Sequence, residues 1–274
     1  MDSASRFNST AVGIICGIGA ALFWAMAFAG VRHGLTVGFT PLDLMIHRYL
    51  WSGIAFLPLV ARGGMRDLNG IGWGRGILLA ILGGPCFVLI SNAGFLLVPL
   101  GHGGVIQPSC ATLGGLLMAT IWLGEKMTAT RAIGALIIVS GLLAIGAESA
   151  IAIGIHGVAG DLIFVLTGLM FAAFGILLRL WRISAVPATM VSAGLEGNLA
   201  AGRFAGCPGW SAVVYLFAES VHLLGAGRAA VFPSLVPPFV LLVGWAPTAL
   251  QLAGVILVFF GFRLAQSTPR RYQA

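Results

Sequence analysis

The chain contains a long apolar segment twice, and this internal repeat limits the folds that it can adopt. Residues 101–134 return in shortened form as residues 225–254, and each copy directly follows a Leu and contains a Pro and a Thr. The parts that precede the copies also correspond, with a nearly constant offset: Gly13, Trp24, Arg32 and Pro41 match Gly160, Phe171, Arg179 and Pro187. The sequence therefore predicts two structurally related halves.

The composition places both halves in a lipid bilayer. Hydrophobic residues make up 59% of the chain and charged residues only 8%, and the mean hydropathy is +1.02. A soluble domain carries roughly a quarter charged residues, so this class is excluded. Only helices and closed barrels span membranes, and the alternation of every second residue that a barrel requires is absent. The fold class predicted is an all-α polytopic membrane protein.

Stretches long enough to cross about 30 Å of hydrocarbon recur along nearly the whole chain. The first is long and leads into the repeat, so it is interpreted as a retained helix and not as a cleaved signal. Nine spanning helices are predicted, over residues 11–31, 41–61, 76–99, 102–123, 131–150, 160–181, 209–224, 229–245 and 248–265.

The distribution of basic residues favours a tenth crossing. Arg and Lys near short loops stay on the cytoplasmic side of a membrane. With ten crossings only Arg32 and Arg203 face outward, whereas with nine Arg228 and the basic residues near the C-terminus do so. The tenth crossing would lie within 185–208, although this segment carries Glu196 and Arg203 and is a poor spanning helix.

The second copy is shorter than the first. About one helix is missing between Pro187 and Gly225, and the helix over 229–245 is short for a bilayer and interrupted by Pro233. Two interpretations stay open: a discontinuous helix that lines a cavity, as in many transporters, or a simple loss of sequence.

Several motifs together resemble the EamA-type branch of the drug/metabolite transporter superfamily. They are Trp24 in helix 1, Pro41-Leu42 followed by Arg48, the ending Leu123-Gly124-Glu125-Lys126-Met127-Thr128, and in the second half Leu224 to Ala230 and Leu235-Val236-Pro237. The second half departs from the pattern, since Ala246-Pro247-Thr248 stands where the Leu-Gly-Glu-x-x-Thr ending is expected.

The resemblance implies two inverted five-helix repeats with a central cavity that opens alternately to each side. The first repeat would cover residues 11–150, the second and shortened repeat residues 159–265, and a cytoplasmic tail residues 266–274. The bacterial cytoplasmic membrane is the location that the resemblance suggests.

Arg48 is the first candidate site residue, because an ionisable group inside a span is costly and usually functional. Two interpretations are open: an arginine that faces a cavity and binds substrate, which the resemblance favours, or one whose head extends to the interface. Asp43 and His47 share a face of the same helix and could form a proton site. Asp43 lies near the helix start, however, where a cap is expected.

A second candidate group lies on the predicted helix 209–224. Tyr215, Glu219 and His222 fall on one stripe of this helix. A carboxylate within a span requires a cavity or a partner, and Arg48 of the other repeat is one distant partner. Glu219 is a candidate for a coupling proton; the alternatives are a structural ion pair or an incorrectly placed span.

Neutral polar residues and prolines complete the candidate site. Asn92 and Gln107 could line the cavity with Trp24, or simply form hydrogen bonds between helices. Pro108 and Pro233 occupy equivalent repeat positions, where either exposed backbone carbonyls or ordinary kinks are expected. Glu125 precedes Thr128, the expected N-cap of the next helix. A capping role with pairing to Lys126 or Arg131 is favoured for Glu125, and a gating role rests on the resemblance.

The sequence lacks the motifs of several other functions. The four cysteines form no C-x-x-C, so no metal site or disulfide framework is predicted. The basic residues are scattered through short loops, which argues against nucleic acid. Walker, His-Glu-x-x-His and Gly-x-Ser-x-Gly motifs are absent, so neither an ATP-driven pump nor an enzyme is predicted, and no cofactor is expected.

The main hypothesis is a secondary transporter that moves a small metabolite or drug-like solute by alternating access, with proton-coupled export left open. The alternative is a membrane scaffold or degenerate paralogue that does not transport, and a membrane enzyme comes third. The expected partners are the solute and the lipid bilayer, while protons and a second copy of the chain are left open.

Overall fold

A computed structural model of the chain describes residues 3–49, 71–98, 100–150, 155–185, 188–189, 210–244 and 248–266. These residues form helices and short connections, without a strand among them. The helices are α1 (Ser3–Thr36), α2 (41–49), α3 (Trp73–Gly83), α4 (Pro85–Gly94), α5 (Leu100–Leu123), α6 (Ala129–Ala150), α7 (Ile155–Leu180), α8 (Trp210–Leu224), α9 (Ala226–Ala229), α10 (Val236–Gly244) and α11 (Ala249–Gln266). A 3₁₀ turn, Phe232–Leu235, precedes α10.

The helices have the length and apolar character of membrane spans. Five described segments are long and apolar enough to cross a bilayer: Ser9–Thr36, Trp73–Gly94, Gly103–Leu123, Gly157–Leu180 and Ala249–Gln266. Shorter apolar helices cover Ala129–Ile145, Ala212–Leu224 and Ala226–Leu241. The prediction of an all-α polytopic membrane protein is confirmed, and these segments match eight of the nine predicted spans. The predicted span 41–61 is described only to residue 49.

Side chains cap the starts of two helices in the expected way. At the start of α2, the backbone N–H of Thr40 donates to Oδ2 of Asp43 (2.9 Å) and the N–H of Asp43 donates to the Thr40 hydroxyl (3.1 Å). This reciprocal pair satisfies amides that a helix start leaves unpaired, so the capping role of Asp43 is confirmed. The Thr128 hydroxyl accepts a hydrogen bond from the N–H of Arg131 (3.3 Å) before α6, as predicted.

Contacts at glycines fix the directions of the helices. Gly13 of α1 packs on Leu224 and Gly19 packs on Leu216, so α1 and α8 run antiparallel. A Cβ at either glycine would approach these leucines within about 3 Å, which shows how closely the two helices pack.

Helices α5 and α7 run parallel. Gly103 packs on Phe164 and Gly114 on Leu169, so both helices advance in the same direction. Helix α9 relates the two helix pairs to each other. Its Gly227 contacts Glu125, which follows α5, so the end of α8 lies at the same side of the bundle as the end of α5. We call this side of the bundle the Glu125 end, and the side where α1 ends the Arg32 end.

The described chain begins and ends at the same side. Helix α1 begins at the Glu125 end, and α11, which runs antiparallel to α6, also ends there. Ten crossings would give this arrangement, and the number of crossings itself stays a prediction. Helix α7 ends at the Glu125 end and α8 begins at the Arg32 end, although most of the tenth crossing predicted in 185–208 lies outside the described residues.

Basic side chains collect at the Glu125 end. The guanidinium of Arg75 lies 5.4 Å from the centre of the Trp181 ring, which joins the start of α3 to the end of α7. The described basic residues at this end are Arg75, Lys126, Arg131, Arg179, Arg182, Arg228 and Arg263. By the charge rule, the Glu125 end is predicted to face the cytoplasm.

Helices α6 and α11 approach through glycines that recur in both halves. A Cβ at Gly134 would lie 2.7 Å from the carbonyl oxygen of Gly261, and a Cβ at Gly141 would lie 2.7 Å from that of Gly254. In the repeat, Gly134 corresponds to Gly254 and Gly141 to Gly261. The contact is therefore nearly the same when the two helices are exchanged, as an inverted repeat would require.

The helices differ in how they are interrupted. Gly84 separates α3 from α4, which begins at Pro85, and Pro108 lies inside a continuous α5. In the second half, Pro233 lies in the 3₁₀ turn that separates α9 from α10. The α-helix in this span is thus interrupted by a 3₁₀ turn, and the predicted similarity of Pro108 and Pro233 does not extend to their backbone.

Candidate functional site

A cavity of about 240 Å³ lies between α1, α2 and α4 and contains the main predicted site residue. Arg48, Trp24 and Asn92 line it together with Ser91. The rest of its wall is apolar and is formed by Ala27, Phe28, Val31, Phe87 and Val88. Arg48 is half-buried and lines this cavity, as the cavity interpretation predicts.

Two buried amides lie at or behind the cavity wall. Asn92 is 3% exposed and Gln107 is fully buried. The Ser91 hydroxyl donates to Oε1 of Gln107 (3.0 Å), which is an interhelical hydrogen bond from α4 to α5. The side-chain nitrogens Nδ2 of Asn92 and Nε2 of Gln107 have no hydrogen-bond partner among the described residues. A buried donor without a partner is costly, so an acceptor group in this region would be stabilised.

Aromatic rings close the floor of this cavity near the centre of the bundle. Trp24 and its repeat counterpart Phe171 pack with ring centres 4.5 Å apart, and both are buried. Phe171 also packs on Phe217 (4.7 Å) and Phe87 (5.8 Å). These rings separate the Arg48 cavity from a second cavity toward the Glu125 end.

The second cavity is apolar and borders the discontinuous helix. It measures about 230 Å³ and is lined by Ala226, Ala230 and Pro233 of the α9–α10 region, by Gly115 of α5, and by Phe171. Pro233 therefore lies at a cavity wall, whereas Pro108 is buried and lines neither cavity.

The predicted proton groups lie elsewhere. Glu219 is half-buried on α8, near enough to Cys16 of α1 to interact electrostatically with its thiol, and it does not line the Arg48 cavity. Tyr215 and His222 are exposed. His47 is exposed as well, and its ring stands perpendicular to that of Phe39 at 6.0 Å. The structure thus brings Arg48, Trp24 and Asn92 together but not these four residues.

Glu125 connects the two halves of the bundle. Its carboxylate oxygens accept hydrogen bonds from the backbone N–H of Gly227 at 3.3 and 3.2 Å. Oε2 also lies 3.6 Å from the guanidinium of Arg131. Pairing with Arg131 is one of the predicted contacts and is present. The hydrogen bonds go to α9 of the second half, however, and not to the start of α6.

Gly227 leaves space for this contact. A Cβ at Gly227 would overlap both the Glu125 carboxylate and the Arg131 guanidinium. The preceding Gly225 has a φ of 86°, a left-handed backbone that favours glycine, and it joins α8 directly to α9.

A neighbouring contact does not follow from the sequence. Nε of Arg228 donates to Oε1 of Gln266 (3.2 Å), and Nε2 of Gln266 donates back to the carbonyl oxygen of Arg228 (2.9 Å). This pair joins the start of α9 to the end of α11. No local pattern identifies it, because the sequence assigns Gln266 to the tail.

The fold defines an integral, multi-pass membrane protein. The sequence profile described as "EamA-like transporter family" matches residues 11–147, which is half of the chain, so the protein belongs to this family. The family is part of the drug/metabolite transporter superfamily, as predicted, and its members are transporters.

One solved structure supports the fold over nearly the full length. This structure, described only as "Crystal structure of protein", aligns with 97% of this chain and 98% of its own, with a TM-score of 0.66 and 17% sequence identity. No curated protein matches the sequence.

Proposed function

We propose that the protein is a secondary transporter that moves a small solute with an anionic or hydrogen-bond-accepting group by alternating access. The observation that carries this proposal is the Arg48 cavity, in which a guanidinium and the Asn92 amide meet an otherwise apolar wall. A cationic donor inside a span attracts an acceptor, and most strongly an anion.

The wall of the Arg48 cavity offers a solute two kinds of contact. Trp24, Phe28 and Phe87 would contact an apolar part of the solute, and Arg48 its charged group.

The first test compares two permanently charged probes that share a ring. Purified protein in liposomes would be assayed for flux of benzenesulfonate and of phenyltrimethylammonium, neither of which crosses lipid readily. We expect benzenesulfonate to be carried, and Arg48→Gln to reduce its flux at least about tenfold because a charge-assisted contact is lost. Arg48→Lys should retain part of the flux.

Arg32→Gln is the matched control, because Arg32 is an exposed cation outside the cavity. Preferential flux of phenyltrimethylammonium, or normal flux in Arg48→Gln, would contradict the anion-accepting site. Absence of flux for every probe tested in a folded protein would favour the non-transporting scaffold instead.

Proton coupling is proposed for Glu219. Its half-buried carboxylate lies between α8 and α1, which belong to different predicted repeats, so a change of protonation there would bias their relative position. Glu219→Gln should abolish the stimulation of flux by a pH gradient while exchange of solute across the membrane continues. If stimulation persists in Glu219→Gln, another group carries the proton.

A further inference from the structure

Polar contacts hold the Glu125 end of the bundle, one set between the two halves and one within the second half. Glu125, at the end of α5, binds the N–H of Gly227, and Arg131, at the start of α6, lies beside the same carboxylate. Arg228 and Gln266 join α9 to α11 through two reciprocal hydrogen bonds. We call these five residues the clasp.

The clasp lies directly beside the second cavity. Ala226 and Ala230, which flank Gly227 and Arg228 in sequence, line that cavity. Ala226 lines this cavity and the next residue, Gly227, contacts Glu125, so separation of α9 from Glu125 would widen the cavity on this side. The contact between Glu125 and Gly227 is therefore placed where a gate is needed.

The second copy of the repeat does not duplicate the clasp residues at the corresponding positions, which are predicted to lie at the Arg32 end. With Thr248 matched to Thr128, the counterparts of Glu125 and Arg131 are Trp245 and Gln251. Gln251 is used locally, since its Oε1 accepts a hydrogen bond from the N–H of Thr248 (3.1 Å).

The remaining counterparts are glycines. With Leu224 matched to Leu100, Gly104 corresponds to Arg228, and the match of Gly254 to Gly134 makes Gly146 the counterpart of Gln266. The four polar side chains of the clasp therefore correspond to residues of the other half that are not ionisable.

We infer that the clasp is a one-ended gate, which holds the Glu125 end closed and biases the resting protein toward the state in which the Arg48 cavity communicates with the Arg32 end. The inference rests on the proposed alternating access. It assigns Arg131, Gly227, Arg228 and Gln266 to the gate as positioning residues, together with Glu125.

Two cysteine reporters test this gate without any solute. In a background in which the four native cysteines are replaced by Ala, Ala230→Cys reports on the second cavity and Val31→Cys on the Arg48 cavity. A membrane-impermeant maleimide is added from each side of the membrane separately, and the labelling rates are measured.

Glu125→Gln, Arg131→Gln and Gly227→Ala are expected to raise labelling of Ala230→Cys from the Glu125 side about five- to tenfold, because they remove a partly exposed ion pair or its hydrogen bonds. The same variants should lower labelling of Val31→Cys from the Arg32 side. Arg263→Gln, an exposed cation at the Glu125 end, is the matched control and should change neither rate.

The opposite direction of the two changes distinguishes a gate from general loosening. If both reporters become more reactive in the clasp variants, or neither changes in variants that stay monodisperse, the inference is overturned. Opposite shifts without flux of any probe would support the gate and contradict the proposed transport function. Normal flux without the shifts would support transport and contradict the gate.

Discussion

The contact between α6 and α11 and the contact between α5 and α9 differ in how well they keep the internal repeat. The α6–α11 contact uses four glycines that correspond in pairs, so exchange of the two helices leaves it nearly unchanged. The α5–α9 region uses Glu125 and Gly227, and Trp245 stands where a second carboxylate would be.

This difference shows which features the two halves can lose independently. A glycine in a close helix contact packs directly on the backbone of the partner helix, so a larger side chain at this position disturbs both helices at once. A surface ion pair contributes little to stability and can be lost from one half alone. The halves therefore share packing surfaces and differ in polar contacts.

The largest effect is expected at the shared glycines. Gly141→Leu and its counterpart Gly261→Leu should each lower the free energy of unfolding by at least about 4 kcal/mol, because backbone atoms of the partner helix cannot move aside for a side chain. Unfolding in mixed micelles, followed by circular dichroism, measures the change.

Gly74→Leu is the control for both variants, since Gly74 is exposed and a Cβ there meets nothing within 4 Å. A marked difference between Gly141→Leu and Gly261→Leu would break the proposed equivalence of α6 and α11.

The next effect is expected at the paired central aromatics. Trp24→Ala and Phe171→Ala should each cost about 3–5 kcal/mol, as expected for removal of a large buried ring. Trp24→Phe keeps a ring and should cost clearly less. The same unfolding assay applies, and a cost below about 1 kcal/mol for either alanine variant would contradict a tightly packed centre.

The smallest effect is expected at the two helix caps. Thr128 and Thr248 both accept a hydrogen bond from the N–H three residues ahead, at 3.3 Å in each case. Thr128→Ala and Thr248→Ala should therefore each cost about 1 kcal/mol. Serine at either position keeps the hydroxyl and is the matched control. Unequal costs would show that the second half has also lost this feature.

Much of the helix arrangement could be predicted because hydropathy and charge act locally. Segments that must avoid water are apolar along their whole length, so eight of the nine predicted spans could be located from the sequence. Arg48 and Asn92 could be selected from the sequence because polar groups inside spans are costly and often functional, whereas Trp24 followed from the resemblance to the family.

The partners of Glu219 and Glu125 could not be predicted from the sequence. The stripe of Tyr215, Glu219 and His222 shows which side chains share a helix face but not which helix that face meets. Gly227 contacts Glu125 through a backbone N–H from 102 positions away, and glycine has no side chain that would reveal the contact. Such contacts depend on the packing of whole helices.

The direct joint at Gly225 restricts where the chain tolerates extra residues. Connections between helices usually accept insertions, such as epitope tags, because few contacts depend on their length. Here a single left-handed glycine lies between Leu224 and Ala226, and one inserted residue would displace the Gly227 N–H from Glu125 by up to about 3.6 Å. The number of residues in this connection is therefore part of the contact between the two halves, and a tag placed there would alter the protein that it was meant to report.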